Sequence, residues 1–116
     1  MTELVFYHNP RCGKSRQALA LLQERGLQPK IVRYLETPPD AATLDRILKA
    51  LGLEPRQLMR KQEAPYKELG LDDPSLSRAQ LIKAMVEHPI LIERPILTRG
   101  GKAALGRPPE RVLTIL

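Results

Sequence analysis

Cys12 is the one cysteine among 116 residues, so no disulfide can form within the chain. One Cys and two His cannot build a Cys₄ or Cys₂His₂ zinc site either, and no metal is expected. A chain of this length makes one domain of ordinary size and buries a core without disulfide staples, which excludes a stapled secreted fold. The remaining thiol is either an inert core residue, the commoner fate of a free cysteine, or a reagent. Its neighbours decide between the two.

Those neighbours are His8-Asn9-Pro10-Arg11-Cys12-Gly13-Lys14-Ser15. Asn-Pro is a turn signal. Before it, Leu4-Val5-Phe6-Tyr7 is a short apolar run of strand type. After it, Ser15, Ala18, Leu19 and Leu22 recur at helical spacing, and Gly26 stands where a glycine would end the helix. Cys12 is thereby predicted in the turn or in the helix's first residues. Free backbone N–H groups and the positive end of the helix dipole favour a thiolate and an anion there together. Ser15 takes the place of the resolving cysteine in a Cys-x-x-Cys motif; its hydroxyl can hydrogen-bond the thiolate but cannot form a disulfide. Any oxidation of Cys12 must then be resolved by an outside thiol.

Further along, Lys30 to Leu35 reads as a second strand, parallel to the first through the intervening helix. From Pro38-Pro39 the texture turns helical. Asp40 caps Ala41 to Leu51, Pro55 to Met59 and Pro65 to Leu69 form shorter helices, and Ser77 caps a helix running to Glu87. Ile96-Leu97-Thr98 and Ala103-Ala104-Leu105 flank Arg99-Gly100-Gly101-Lys102 as a hairpin, and Pro108 to Leu116 suits a final short helix. The order predicts an α/β fold: a mixed four-stranded sheet with a helical insertion, about 38–88, between the second and third strands.

The formal charge of +6 sits at the two ends of the chain, while 35–90 is nearly balanced. That distribution suits ends folding together around a small anion better than a continuous nucleic-acid surface. With Phe6, Tyr7, Tyr34 and Tyr66 as the only aromatics, base stacking has little to work with. The opening residues, Met1 to Tyr7, carry an acid and no basic run, and no stretch reaches the roughly 20 apolar residues of a membrane span. A cytoplasmic setting is expected, where thiols stay reduced.

Beyond its turn, the chain carries Tyr34-Leu35-Glu36-x-Pro38-Pro39, Leu58-x-Arg60-Lys61, Pro65-Tyr66 and Leu69-Gly70-Leu71. His88-Pro89-Ile90-Leu91-Ile92, Arg94-Pro95-Ile96 and Arg107-Pro108 follow. In this order and spacing, together with Tyr-His-Asn-Pro-x-Cys-x-x-Ser at 7–15, the sequence resembles the glutaredoxin-coupled arsenate reductases of bacteria along essentially its whole length. The resemblance implies one ArsC-type, thioredoxin-like domain over 1–116. It implies Cys12 as the nucleophile toward arsenate, with His8 and Ser15 lowering its pKa. Arg60, Arg94 and Arg107 are implied to bind the oxyanion, and Pro95 to be cis beside the cysteine. Guanidinium forks suit tetrahedral oxyanions, although Arg60-Lys61 also reads as an ordinary helical surface.

The implied partners are arsenate, glutathione as co-substrate and glutaredoxin, acting on a monomer with no bound cofactor, no nucleic acid and no membrane. Two other readings accompany it. One is a glutathione-dependent thiol reductase acting on another substrate, against which the three arginines argue for an oxyanion. The other is an Spx-type regulator binding RNA polymerase, whose disulfide switch this chain lacks because Ser15 replaces the second cysteine.

Overall fold

The computed structural model describes residues 3–116; Met1 and Thr2, which open the segment read above for a leader, lie outside the described residues. The chain divides into two compact units, residues 1–38 with 94–116, and 39–93.

The first unit holds a four-stranded sheet in the order β2-β1-β3-β4. Its strands are β1 (Leu4–Tyr7), β2 (Lys30–Val32), β3 (Ile96–Arg99) and β4 (Lys102–Leu105). β1 pairs parallel with β2, as the crossover through helix α1 (Gly13–Glu24) requires, and antiparallel with β3. β3 and β4 form the hairpin, turning at Gly100 with φ 60°. The mixed four-stranded sheet and the helical block between its second and third strands match the sequence expectation.

The helical stripe of α1 explains how the sheet is covered. Ala18 and Leu22, one turn apart, are fully buried with Phe6 of β1, Leu97 of β3 and Val112. Val112 comes from the tail, which closes as a 3₁₀ helix, Pro109–Ile115. Burying a Leu or Phe side chain contributes about 1.5–3 kcal/mol, so this cluster is what fixes α1, and with it Cys12, against the sheet. The second strand is shorter than predicted. After Val32 the Arg33 carbonyl accepts from the Glu36 and Thr37 N–H groups, so it closes a turn instead of a ladder, and Tyr34 is buried within that turn.

In the second unit, helix α2 (Ala41–Leu51) is capped by the Asp40 carboxylate, which accepts from Thr43 N–H at 2.8 Å, and ends at Gly52 with φ 69°. α3 (Ala64–Glu68) is short, and α4 (Arg78–Glu87) starts with a capping box between Ser77 and Gln80. Leu44, Ile47 and Leu48 of α2 and Leu81, Ile82 and Met85 of α4 are buried, and the two helices pack on each other. Arg78 of α4 donates from Nε to Asp45 of α2 at 2.8 Å. Pro89–Leu91 makes a 3₁₀ turn, and the extended Ile92 after it forms an isolated β-bridge with Met59.

Candidate active site

Cys12 is the N-cap residue of α1, with extended φ −93° and ψ 123°. Its N–H donates to the Asn9 carbonyl at 3.0 Å, and the Asn9 side-chain oxygen accepts from Arg11 N–H, so the Asn-Pro segment folds back on itself and delivers the thiol to the helix start. Burial by itself pushes the Cys12 thiol up. The Ser15 backbone N–H, the charge of Arg94, the Lys14 backbone N–H and a hydrogen bond from the Arg94 side chain outweigh it and hold the pKa below the ordinary thiol value. The first-turn amides have no intrahelical acceptor, and those of Ser15 and Lys14 favour a negative charge on the sulfur at the helix start.

The resemblance implies that His8 and Ser15 lower the Cys12 pKa, and Ser15 does so through its backbone N–H. Ser15 is fully buried, and its Oγ accepts from Asn9 N–H at 3.1 Å and shares a 2.7 Å hydrogen bond with His8 Nδ1. What reaches the sulfur is the Ser15 backbone, not its side chain. His8 is buried as well; burial first, then the charges of Arg33 and Arg16, hold its imidazole below its usual pKa. A neutral His8 supplies no cation to the thiolate; it props the turn through Ser15.

Arg94 and Arg107 come together. Arg107 Nε donates to the Arg94 backbone carbonyl at 3.1 Å, and both Arg94–Pro95 and Arg107–Pro108 are cis. The second cis bond was not foreseen. Arg60 belongs to the second unit, where its guanidinium faces the carboxylates of Glu63 at 3.3 Å and Glu93 at 3.8 Å, and its N–H donates to Leu91 O.

One residue of the site was missed. Gly106 donates its N–H to the Pro95 carbonyl at 2.8 Å, and a Cβ on it would lie 2.7 Å from Pro95 Cγ and 3.1 Å from Val112 Cγ1. Only glycine lets the chain pass so close to the proline that follows Arg94. The signal available was Gly-Arg-Pro at 106–108, but nothing local says that the glycine meets Pro95. Among the described residues, no group of three His, Cys, Asp or Glu side chains is placed to hold a metal, and no helix is long and apolar enough to cross a membrane.

Known proteins share this fold and much of this sequence. The solved structure of an arsenate reductase from Vibrio cholerae superposes with a TM-score of 0.95 at 52% identity, covering 99% of this chain and 98% of that one. Among sequences, the uncharacterized protein YfgD of Escherichia coli strain K12 is 58% identical over 118 residues, spanning 100% of this chain and 99% of that protein. An arsenate reductase of Neisseria meningitidis serogroup A is 50% identical over 117 residues, the full length of both. The fold is thioredoxin-like, and with the model of the ArsC family matching residues 7–115, the chain belongs to the ArsC family.

Proposed function

We propose that the protein is an arsenate reductase that works through one catalytic cysteine and draws its electrons from glutathione and glutaredoxin. The observation that carries the reading is the Cys12 thiol, held below its ordinary pKa by the α1 amides and by Arg94. The relatives named as arsenate reductases and the family support it.

In this mechanism the Cys12 thiolate attacks As(V), forming an S–As bond while one arsenate oxygen leaves as water. Arg94 and Arg107 offset the charge of the remaining oxygens. Glutathione then attacks the arsenic adduct, forming a second S–As bond as another arsenic-bound oxygen leaves as water, and a glutaredoxin thiol attacks the glutathione sulfur, breaking that S–As bond and leaving its electron pair on arsenic. The pair of thiols leaves as a mixed disulfide, and its two electrons take arsenic to As(III). Hydrolysis of the Cys12–As(III) bond releases arsenite and restores the thiol. The chain has no second cysteine, so the reducing pair must come from outside, in a compartment that keeps thiols reduced.

The test is arsenate-dependent NADPH consumption with glutathione, glutaredoxin and glutathione reductase, with arsenite measured as product. Turnover in the native protein and none in Cys12→Ser is expected. No consumption, or full activity in Cys12→Ser, rejects the reading.

A further inference from the structure

Beside the thiol turn, the first unit carries a cleft of about 400 Å³, bounded on one side by His8 to Arg11 and on the other by Arg33, Leu35 and Glu36. Its walls are the segment leading into Cys12 and the turn that cuts β2 short. His8 N–H donates to the Val32 carbonyl at 2.9 Å and ties the two walls together. Arg11, Arg33 and Glu36 are exposed, and among the described residues their side chains make no hydrogen bond or ion pair. The mechanism above uses none of the three. Pro10 and Leu35 add apolar surface to the lining.

Two cations, one anion and an apolar stretch define a ligand class. Arsenate has no cation to set against Glu36 and fills only a fraction of the space. A nucleic-acid backbone offers only anions, which Glu36 repels. A short peptide bearing two carboxylates and one ammonium satisfies all three side chains at once. Glutathione is such a molecule, with its glycyl and γ-glutamyl carboxylates and its α-ammonium. Its reach is also right, since three residues extend about 10 Å, and Cys12 directly follows the cleft residue Arg11, its N–H bonded to Asn9 O at 3.0 Å.

We propose that this cleft seats glutathione, its carboxylates on Arg11 and Arg33 and its ammonium on Glu36, with the thiol directed to Cys12. The assignment rests on the reading of Cys12 as a thiol-dependent reductase, but its binding is measurable without turnover.

The experiment is an NMR amide titration of the full chain with S-methylglutathione, which keeps the charges and lacks the thiol. Shifts concentrated at residues 8–11 and 33–36 are expected, with Kd raised about tenfold by reversing one contacting charge in Arg33→Glu. Glu36→Lys weakens the same ligand and spares an analogue without the ammonium. Each variant's own amide spectrum reports whether it is folded. Shifts that gather elsewhere, no shifts at all, or a folded Arg33→Glu with unchanged Kd overturn the assignment. Binding in the cleft without any arsenate turnover supports the cleft and defeats the arsenate reading alone. Arsenate turnover whose glutathione dependence ignores both Arg33→Glu and Glu36→Lys defeats the cleft alone.

Discussion

Arg107 holds Arg94 by its backbone: the Arg107 Nε–H donates to the Arg94 carbonyl at 3.1 Å, while the Arg94 side chain hydrogen-bonds the Cys12 sulfur. Arg94 therefore acts on the sulfur directly, whereas Arg107, besides facing the oxyanion in the mechanism proposed above, fixes the loop that carries Arg94.

Arg107→Lys tests that division. Lysine keeps the charge but loses the planar fork and the Nε–H that meets the carbonyl. We expect kcat/KM for arsenate to fall about tenfold, equivalent to ~1.4 kcal/mol, with a smaller rise in Cys12 pKa than in Arg94→Ala, which removes a direct partner of the sulfur. Thiolate absorbance against pH reads the pKa and initial rates read the rest. An Arg107→Lys protein with native kinetics would show that the bond to Arg94 carries no function.

The pH dependence follows from the sign of the Cys12 shift. A thiol pKa lower in the folded protein than in the unfolded chain means that folding favours the thiolate. Reactivity toward iodoacetamide is thus at its plateau below the pH at which an ordinary thiol ionises, and falls only as pH drops through the lowered value. The same shift adds stability above the unfolded pKa that is lost on acidification through the folded one. Arg94→Ala should move the alkylation profile toward higher pH. A wild-type profile centred on an ordinary thiol, about 8.5, would contradict the site as described.

Much of this was legible in the residues because each signal was local. Asn9-Pro10 marks the turn, the Ala18 and Leu22 stripe marks the buried face of α1, and Asp40 and Ser77 mark helix starts that the structure caps as expected. What was not legible depends on partners far along the chain. Nothing near Ser15 says that its hydroxyl goes to His8 rather than to Cys12. Nothing near Arg33 says that its carbonyl closes a turn instead of extending the strand, and Gly106 meets Pro95 only because the β3–β4 hairpin returns the chain. The role of Arg60 rested on resemblance alone, and the structure pairs its side chain with Glu63 and Glu93.

Ser15→Ala separates side chain from backbone. The variant leaves Asn9 N–H and His8 Nδ1 without their buried partner, a loss of about 1–3 kcal/mol, while the Ser15 backbone N–H remains to hold the sulfur. Chemical denaturation should show the lost stability, and the Cys12 pKa should rise less than in Arg94→Ala. A pKa rise equal to or larger than that of Arg94→Ala would restore the hydroxyl as a direct partner of the thiolate.

Gly106→Ala probes the same site from behind. The added Cβ would stand 2.7 Å from Pro95 Cγ and 3.1 Å from Val112 Cγ1, and neither can yield easily, since Pro95 is a ring and Val112 is fully buried. Overpacking of this kind costs about 1–3 kcal/mol, visible as a lower denaturation midpoint. The strain falls on the residue after Arg94, so the arginine that faces the thiolate should shift with it, and the Cys12 pKa should rise although residue 106 never touches the sulfur. Val112→Ala in the Gly106→Ala background separates the two effects, because it opens space beside Val112 but none beside the proline. It should therefore leave the pKa raised. A thiolate titration returned to the native profile by that second change would place the strain in the core and not in the Arg94–Pro95 loop.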